Sequence, residues 1–212
     1  MKRTKKEALE TRANILESAL DILSVKNFAN TSVTEISNRA GLTKGAFYWH
    51  FRNKSDLLLQ LVESICQDNE ESFRNILGTP RLSRELWGYY KKELAKLEEN
   101  ARYAKIHMMM ARRQYEWPAE VQEKARQIIV DYFERDRLAV ERFVVLGQKE
   151  GRFKKDIPTG DIAVLISSIF HGLYMMQLAG NLPKSFSEHT DILFDTFNKI
   201  LTADENAVLL RN

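Results

Sequence analysis

Residues 32–54 read SVTEISNRAGLTKGAFYWHFRNK and predict two short helices joined by a tight turn. Ser32 and Glu35 have the spacing of a capping box, in which the hydroxyl accepts the N–H of Glu35 and the carboxylate accepts that of Ser32. Gly41 stands where a left-handed residue can end a helix, and Thr43 is a good N-cap for the next one. The pattern favours a helix-turn-helix.

The second predicted helix has a composition that suits the major groove of DNA. In a helix-turn-helix the second helix enters that groove, and its first residues meet base edges. Lys44 can donate to guanine or to a phosphate, and the small residues Gly45 and Ala46 allow close approach of the backbone. Lys54 opens the following helix, whose N-terminus attracts anions. The alternative is a helical hairpin of an ordinary all-α protein, with the aromatic residues in its core.

The same segment resembles the DNA-binding domain of the TetR family of bacterial transcriptional repressors over roughly residues 8–60. The residues that carry the resemblance are Thr34, Ile36, Ala40-Gly41, Thr43, Gly45, Phe47-Tyr48-Trp49-His50-Phe51 and Lys54. The run Tyr48-Trp49-His50-Phe51 is most similar to the branch that represses multidrug efflux pumps, although Lys44 stands where those relatives often carry Arg. The predicted DNA-binding residues are therefore Thr34, Thr43, Lys44, Gly45, Ala46, Tyr48, Trp49, His50 and Lys54.

The distribution of charge agrees with DNA binding by the N-terminal part. Residues 1–54 hold ten Lys/Arg and five Asp/Glu, a balance of +5, whereas the rest holds 32 − 10 = 22 basic and 29 − 5 = 24 acidic residues, a balance of −2. Phosphate-binding modules concentrate basic residues in this way. The single cysteine, Cys66, excludes an internal disulfide and is typical of the cell interior, so a cytoplasmic protein without a signal peptide is expected.

Helical periodicity continues along the chain and predicts an all-α protein of about nine helices. The N-terminal three-helix helix-turn-helix domain is placed at residues 1–53, and a C-terminal helical ligand-binding and dimerisation domain at residues 54–212. Predicted helices cover residues 7–25, 54–77, 82–98, 101–116, 118–150 and 187–201, besides the helix-turn-helix and the run described below. The 54–77 helix ends at Gly78-Thr79-Pro80, a stop signal.

A ligand site is predicted among the C-terminal helices. Met108-Met109-Met110 and several aromatic residues provide flexible apolar surface suited to a small organic molecule, and the family resemblance implies an inducer site there. Ordinary core packing is the alternative for each methionine. The predicted ligand-binding residues are Phe73, Trp87, Tyr90, His107, Met110, Phe133 and Tyr174. No cofactor is expected, and the four histidines are too scattered to propose a metal site.

Residues 162–180 contain no charged residue and approach the length of a membrane span. Ser167, Ser168, His171 and Gln177 interrupt the apolar run, which favours a buried helix or an interface over a membrane helix. A homodimer interface is therefore predicted, with intrachain core and membrane as alternatives, and the resemblance implies dimerisation through the last two helices. Its predicted residues are Leu165, Ser168, Ile169, Gly172, Met176, Leu193 and Phe197.

These features together predict a repressor that leaves a palindromic operator when a small apolar inducer binds. Control of an efflux pump is implied only by the resemblance around the second helix of the motif. The partners are double-stranded DNA, the inducer and a second copy of the chain. An activator, a regulator of a metabolic operon, and a helical interaction protein without a ligand are the alternatives. No nucleophile–base pair or metal set at a recognisable spacing indicates an enzyme.

Overall fold

The computed structural model describes residues 4–77 and 100–178, with a few isolated positions outside these ranges. The chain divides into two compact units: unit 1 comprises residues 1–68 and 100–131, and unit 2 comprises residues 69–99 and 132–212. The regular elements of the described ranges are all helical, which confirms the predicted all-α class. The helices predicted at 82–98 and 187–201 lie almost wholly outside the described residues.

Seven α-helices fall within the described ranges. They are α1 (Lys5–Leu23), α2 (Val33–Arg39), α3 (Lys44–His50), α4 (Lys54–Leu77), α5 (Ala101–His107), α6 (Ala119–Lys149) and α7 (Thr159–Leu178). A π-helical turn (Met108–Arg112) and a 3-10 turn (Gln114–Glu116) lie between α5 and α6.

Side-chain caps define the ends of α2 and α3. The hydroxyl of Ser32 accepts the N–H of Glu35 at 3.1 Å, and that of Thr43 accepts the N–H of Ala46 at 3.2 Å. Gly41 between the helices has a φ of 68°, as predicted. The second half of the predicted capping box, a hydrogen bond from the N–H of Ser32 to the Glu35 carboxylate, was predicted wrongly. That carboxylate instead accepts two hydrogen bonds from Lys26, at 2.8 and 3.0 Å.

A complete capping box occurs at the start of α1, where sequence reasoning did not place one. The Thr4 hydroxyl accepts the N–H of Glu7 at 3.2 Å, and the Glu7 carboxylate accepts the N–H of Thr4 at 2.8 Å. This pair starts α1 at Lys5, two residues before the predicted position. Leu9 is 60% exposed, and the buried residues of α1 begin only at Ile15.

The core of unit 1 is built from the helix-turn-helix, α1 and the first half of α4. Ile36 of α2 and Phe47 of α3 are completely buried, and the buried Phe28 joins the same core from the segment between α1 and α2. Further members of this cluster include Ile15, Leu20, Phe51, Leu57, Leu58 and Leu61. Burial of this apolar surface is the main stabilising contribution to such a small unit.

The segment that follows residue 100 also belongs to unit 1. Arg102 of α5 donates to Glu17 at 2.9 Å and to Asp68 at 3.1 Å, and Arg113 donates to the carbonyl of Val25 at 2.8 Å. The unit that holds the helix-turn-helix is therefore larger than the predicted domain 1–53. Periodicity does not report such contacts between distant parts of a sequence.

The prediction of a single helix over residues 101–116 is wrong, because α5 ends at His107 and a π-helical turn follows it. Met109 in that turn is completely buried in the core of unit 1, and Met110 packs against the same core. A π turn spaces its hydrogen bonds by one extra residue and so shifts the side chains after it relative to an α-helix. Ordinary packing accounts for Met109.

Unit 2 contains the second half of α6 and all of α7. The buried residues of these two helices and of the connection between them are Val140, Phe143, Val144, Phe153, Ile162, Ala163, Ile166 and Phe170. Helix α6 ends at Lys149, and Gly151 just beyond it has a φ of 77°, in the left-handed region that favours glycine. The Gln148 amide then donates to the carbonyls of Lys154 and Ile157, both at 2.7 Å, and holds the connection to α7.

Gly147 of α6 lies directly beneath the Phe153 ring, and we expect Gly147→Ala to destabilise the protein. An added Cβ would lie 2.3 Å from that ring, so the buried Phe153 side chain would have to move. Overpacking of this kind costs roughly 1–3 kcal/mol, which a lower urea midpoint at unchanged m-value would show. Gly160→Ala is the control, because its added Cβ meets only Glu141 at 3.5 Å. Equal stability of both variants would contradict the packing described.

Candidate nucleic-acid interface

Helix α3 has one face fixed in the core and one face open to solvent. The completely buried Phe47 ring lies 5.5 Å from the Phe51 ring and edge-on to the Tyr48 ring at 5.4 Å. Because α3 is anchored by Phe47, the residues on its other side have a defined orientation. The structure therefore presents a rigid short helix rather than a solvated loop.

The open face of α3 carries aromatic and basic groups. Trp49 is 89% exposed and Tyr48 is 50% exposed, and the ammonium of Lys44 lies 5.9 Å from the centre of the Tyr48 ring. Two neighbouring exposed aromatic side chains form an apolar patch, and such patches mark interaction sites more often than single exposed residues do. The alternative that placed these aromatic residues in the core therefore holds for Phe47 and Phe51 but not for Tyr48 and Trp49.

Packing against the described residues does not explain why position 45 is a glycine. A Cβ added there would meet only the Thr43 hydroxyl, at 3.8 Å, and no positive φ requires glycine. Glycine within a helix costs up to about 1 kcal/mol relative to alanine. Close approach of an external partner would explain a glycine at this position.

The structure brings the predicted DNA-binding residues together on α2 and α3, with one exception. Six of them are exposed: Thr34, Thr43, Lys44, Gly45, Tyr48 and Trp49. Ala46 and His50 are half-buried. Their role in contacting DNA stays a prediction.

Lys54 is the exception, because its ammonium is engaged within unit 1. It donates to the carbonyls of Phe28 and Thr31, at 2.5 and 2.6 Å, and lies 4.2 Å from the centre of the Phe28 ring. Burial lowers the pKa of this ammonium. Lys54 therefore stabilises the turn before α2, and a phosphate contact would compete with these bonds.

Sequence reasoning missed the polar groups that hold α2 in place. The Asp21 carboxylate accepts from Arg39 of α2 at 2.6 Å and from Lys105 of α5 at 2.5 Å. The hydrogen bond from Lys105, and then that from Arg39, lowers the pKa of Asp21. Asn14 also donates to the carbonyl of Ala40 at 2.9 Å, at the turn of the motif. No local spacing signals these pairs, because their members are 18 to 84 residues apart.

The predicted ligand-binding residues are only partly described. Trp87, Tyr90 and the side chains of Phe73 and His107 lie outside the described part of the structure. Met110 belongs to unit 1, whereas Phe133 and Tyr174 belong to unit 2. The Phe133 ring meets the His171 ring edge-on at 4.6 Å, which joins α6 to α7. Over the described residues, no group of three or more His, Cys, Asp or Glu could hold a metal ion.

Helix α7 exposes much of its apolar surface. Leu165, Ser168, Gly172 and Met176 are exposed and Ile169 is half-buried, while Leu193 and Phe197 fall outside the described ranges. A Cβ added at Gly172 would meet no atom within 4 Å. Thr159–Met176 is long and apolar enough to cross a membrane by length and composition alone, which for a single helix is weak evidence. The dimer interface stays a prediction.

Helices α1, α2 and α3 form a three-helix unit, and the exposed face of α3 carries basic and aromatic side chains. This arrangement is that of the helix-turn-helix class of DNA-binding modules. Residues 15–61 match the family described as "Bacterial regulatory proteins, tetR family". The resemblance predicted from the sequence is therefore confirmed for this N-terminal segment.

Characterised relatives match mainly through the same segment. The chain is 48% identical over 62 residues to the HTH-type transcriptional regulator AcrR of Shigella flexneri, covering 29% of each protein. It is 40% identical over 74 residues to the HTH-type transcriptional regulator TtgR of Pseudomonas putida, covering 35% of each. These matches therefore span about a third of the relatives' own length.

Solved structures resemble the fold over almost the whole chain. NalD, described as the secondary repressor of the MexAB-OprM multidrug efflux pump in Pseudomonas aeruginosa, has a TM-score of 0.71 at 19% identity and covers 93% of this chain and 99% of its own. The SmeT–triclosan complex has a TM-score of 0.75 at 22% identity, covering 92% and 93%. At these identities the likeness establishes the fold.

Lys44 and Lys54 form a matched pair of tests. Lys44→Ala should weaken operator binding at least tenfold and reduce the salt slope by about one, with unchanged stability because Lys44 is exposed. Lys54→Met should instead lower the free energy of unfolding by about 1–3 kcal/mol, because two carbonyls lose a donor. Electrophoretic mobility shifts at several salt concentrations and urea titrations measure the two effects. Normal operator affinity of Lys44→Ala would remove it from the interface.

Proposed function

We propose that this protein is a ligand-responsive transcriptional regulator that represses by occupying a palindromic operator. The observation that carries the proposal is the outer face of α3, where Trp49, Tyr48 and Lys44 are exposed on a helix anchored by Phe47. A helix of this kind reads base edges in the major groove, and the surrounding basic residues bind phosphates.

Two copies of the chain would read two half-sites. Helix-turn-helix dimers bind half-sites about 34 Å apart or a multiple of this distance, and a two-fold axis uses the same surface on both copies. The exposed apolar side chains of α7 supply a surface of the required kind, among them Val164, Leu165, Met175 and Met176. We therefore place the dimer contact on α7.

Release of DNA would follow from binding of a small molecule by unit 2. A ligand shifts a conformational equilibrium only by its difference in affinity for the two states. The names of relatives support an efflux-related role, since NalD is described as a repressor of a multidrug efflux pump and SmeT was solved with triclosan. We accordingly propose an apolar inducer and an efflux operon as the target.

A second candidate is the regulation of a metabolic operon. The transcriptional regulator FadR of Bacillus subtilis, solved in complex with stearoyl-CoA, has a TM-score of 0.65 and covers 87% of this chain and 96% of its own. The same fold therefore accommodates a lipid-derived ligand. The operator sequence, placed on a genome, would distinguish the two candidates.

Selection of bound sequences from random duplex DNA should enrich a palindrome. Each half-site should be contacted by one recognition helix, and log K should fall steeply with log salt, because several phosphates are neutralised. The intact 212-residue chain is used, and the enriched site is re-measured between low and physiological salt. A scrambled site of the same length is the control. Binding of both duplexes with equal affinity would contradict a sequence-specific regulator.

Gly172→Leu should impair dimerisation. Gly172 is exposed on α7, and a leucine side chain there would project from a surface that we assign to close contact between copies. Sedimentation velocity over a concentration series measures the monomer–dimer equilibrium, and the dissociation constant should rise at least tenfold. Gly172→Ala is the control, because a methyl group adds little volume. A Gly172→Leu variant as dimeric as the unmodified protein would place the interface elsewhere.

A further inference from the structure

The helix-turn-helix contains a single acidic residue, Glu35. Residues 32–54 hold this one carboxylate beside four lysine and arginine residues: Arg39, Lys44, Arg52 and Lys54. Glu35 lies in the first turn of α2, next to the exposed Thr34. The first helix of such a motif crosses the sugar–phosphate backbone of DNA. Phosphates would therefore approach the carboxylate to within the range of electrostatic repulsion, about 8–10 Å at physiological salt.

Lys26, which lies outside the motif, neutralises this carboxylate. Its ammonium donates to both Glu35 oxygens, at 2.8 and 3.0 Å. The Lys26 backbone is itself fixed, because its N–H donates to the carbonyl of Ile22 at 2.8 Å near the end of α1. The hydrogen bond from Lys26 is the largest cause of the lowered pKa of Glu35. An ordinary glutamate pKa also lies well below 7, so Glu35 would stay ionised without Lys26.

Glu35 depends on one cation, in contrast to Asp21. The Asp21 carboxylate accepts from Arg39 at 2.6 Å and from Lys105 at 2.5 Å, so it keeps one cation when the other is removed. Among the residues that the structure describes, Lys26 alone brings a positive charge into contact with the Glu35 carboxylate. Loss of Lys26 would therefore leave an uncompensated negative charge on α2.

The pair of Lys26 and Glu35 contributes little to the fold itself. The two side chains are 40% and 38% exposed, and ion pairs this open to water add little stability. Other bonds fix the segment between α1 and α2. The Lys54 ammonium donates to the carbonyls of residues 28 and 31, and the Thr31 hydroxyl donates to the carbonyl of Asn27 at 2.9 Å. The main consequence of the pair is thus its charge.

We propose that Lys26 is a positioning residue for DNA binding, which acts through Glu35 and removes the repulsion between that carboxylate and the operator phosphates. Because both Glu35 oxygens bond the ammonium, Lys26 raises the net charge of the motif from +3 (4 − 1) to +4 without contacting DNA. The partner is the phosphate backbone, so the effect is the same for every DNA sequence. This inference rests on the proposed function.

A double-mutant cycle on the intact chain tests this role. Fluorescence anisotropy measures binding of the unmodified protein, Lys26→Met, Glu35→Gln and the double variant to the selected operator and to a scrambled duplex of the same length. Lys26→Met should lose affinity for both duplexes by about three- to tenfold at about 50 mM salt, and less at higher salt. Glu35→Gln should bind at least as tightly as the unmodified protein, because Lys26 is then free to attract phosphates.

The double variant separates an effect of charge from an effect of packing. It should return to within about twofold of the unmodified affinity, because no acid remains to be neutralised. A packing role predicts instead that the double variant binds at least as weakly as Lys26→Met. Lys26→Arg keeps the charge and should retain full affinity.

Lys124→Met is the matched control. Lys124 forms an exposed pair of the same residue types with Glu120, at 2.6 Å, on α6 and outside the motif. This variant should bind both duplexes like the unmodified protein. Urea midpoints of all the variants should be nearly unchanged, because both pairs are open to water.

Four binding results would overturn the inference. They are full affinity of Lys26→Met for both duplexes, a double variant as weak as Lys26→Met, weaker binding by Glu35→Gln than by the unmodified protein, and an equal loss of affinity in Lys124→Met. Failure of Lys26→Met to fold would also overturn it, because the pair would then be required for the fold rather than for charge.

The two duplexes separate this inference from the proposed function. A preference for the operator with equal affinity of all variants would reject the role of Lys26 and leave the regulator in place. Equal binding of operator and scrambled duplex by the unmodified protein, combined with the expected order of the variants on both, would reject the sequence-specific regulator and retain the role of Lys26.

Discussion

Complete burial of the Phe47 side chain is the constraint on which the DNA-binding surface depends. Helix α3 is only seven residues long, too short to be stable in water by its own hydrogen bonds. Packing of Phe47 against the core, with Phe51 at its end, supplies the stability that the helix lacks. The residues on the opposite face of α3 are therefore not needed for packing and are available for contacts with a partner. This face carries Trp49, whose exposure to water is unfavourable in the free protein.

Electrostatic contacts then fix the neighbours of α3 without adding much stability. Asp21 joins α2 and α5, Arg102 joins α1, α4 and α5, and most of these groups are partly exposed. Pairs in such settings contribute about 0–1 kcal/mol each. Their main effect is to select one arrangement of helices that the apolar core alone would specify less sharply.

Local patterns predicted those parts of the structure that local chemistry determines. The caps at Ser32 and Thr43 and the left-handed Gly41 follow from residues within a few positions of one another, and all three occur as expected. The partner of the Glu35 carboxylate was predicted wrongly, since it is Lys26, and the intrachain partners of the Lys54 ammonium, the carbonyls of residues 28 and 31, were not predicted. Competition between partners decides such contacts, and a sequence pattern shows only one of the competitors.

Larger-scale features escaped prediction for a related reason. The π-helical turn at Met108–Arg112 and the inclusion of residues 100–131 in unit 1 both depend on packing against α1 and α4. These are properties of pairs of helices, whereas periodicity describes one helix at a time.

The discontinuous sequence of unit 1 has a consequence for synthesis of the chain on the ribosome. The helix-turn-helix and the first half of α4 emerge first, but Ile106, Met109, Trp117 and Val121 complete their apolar core. The 63 residues between position 68 and position 131 (131 − 68) take about 3–13 s to translate at 5–20 residues per second. During that interval the nascent helix-turn-helix exposes to water the apolar surface that these later residues cover in the folded protein.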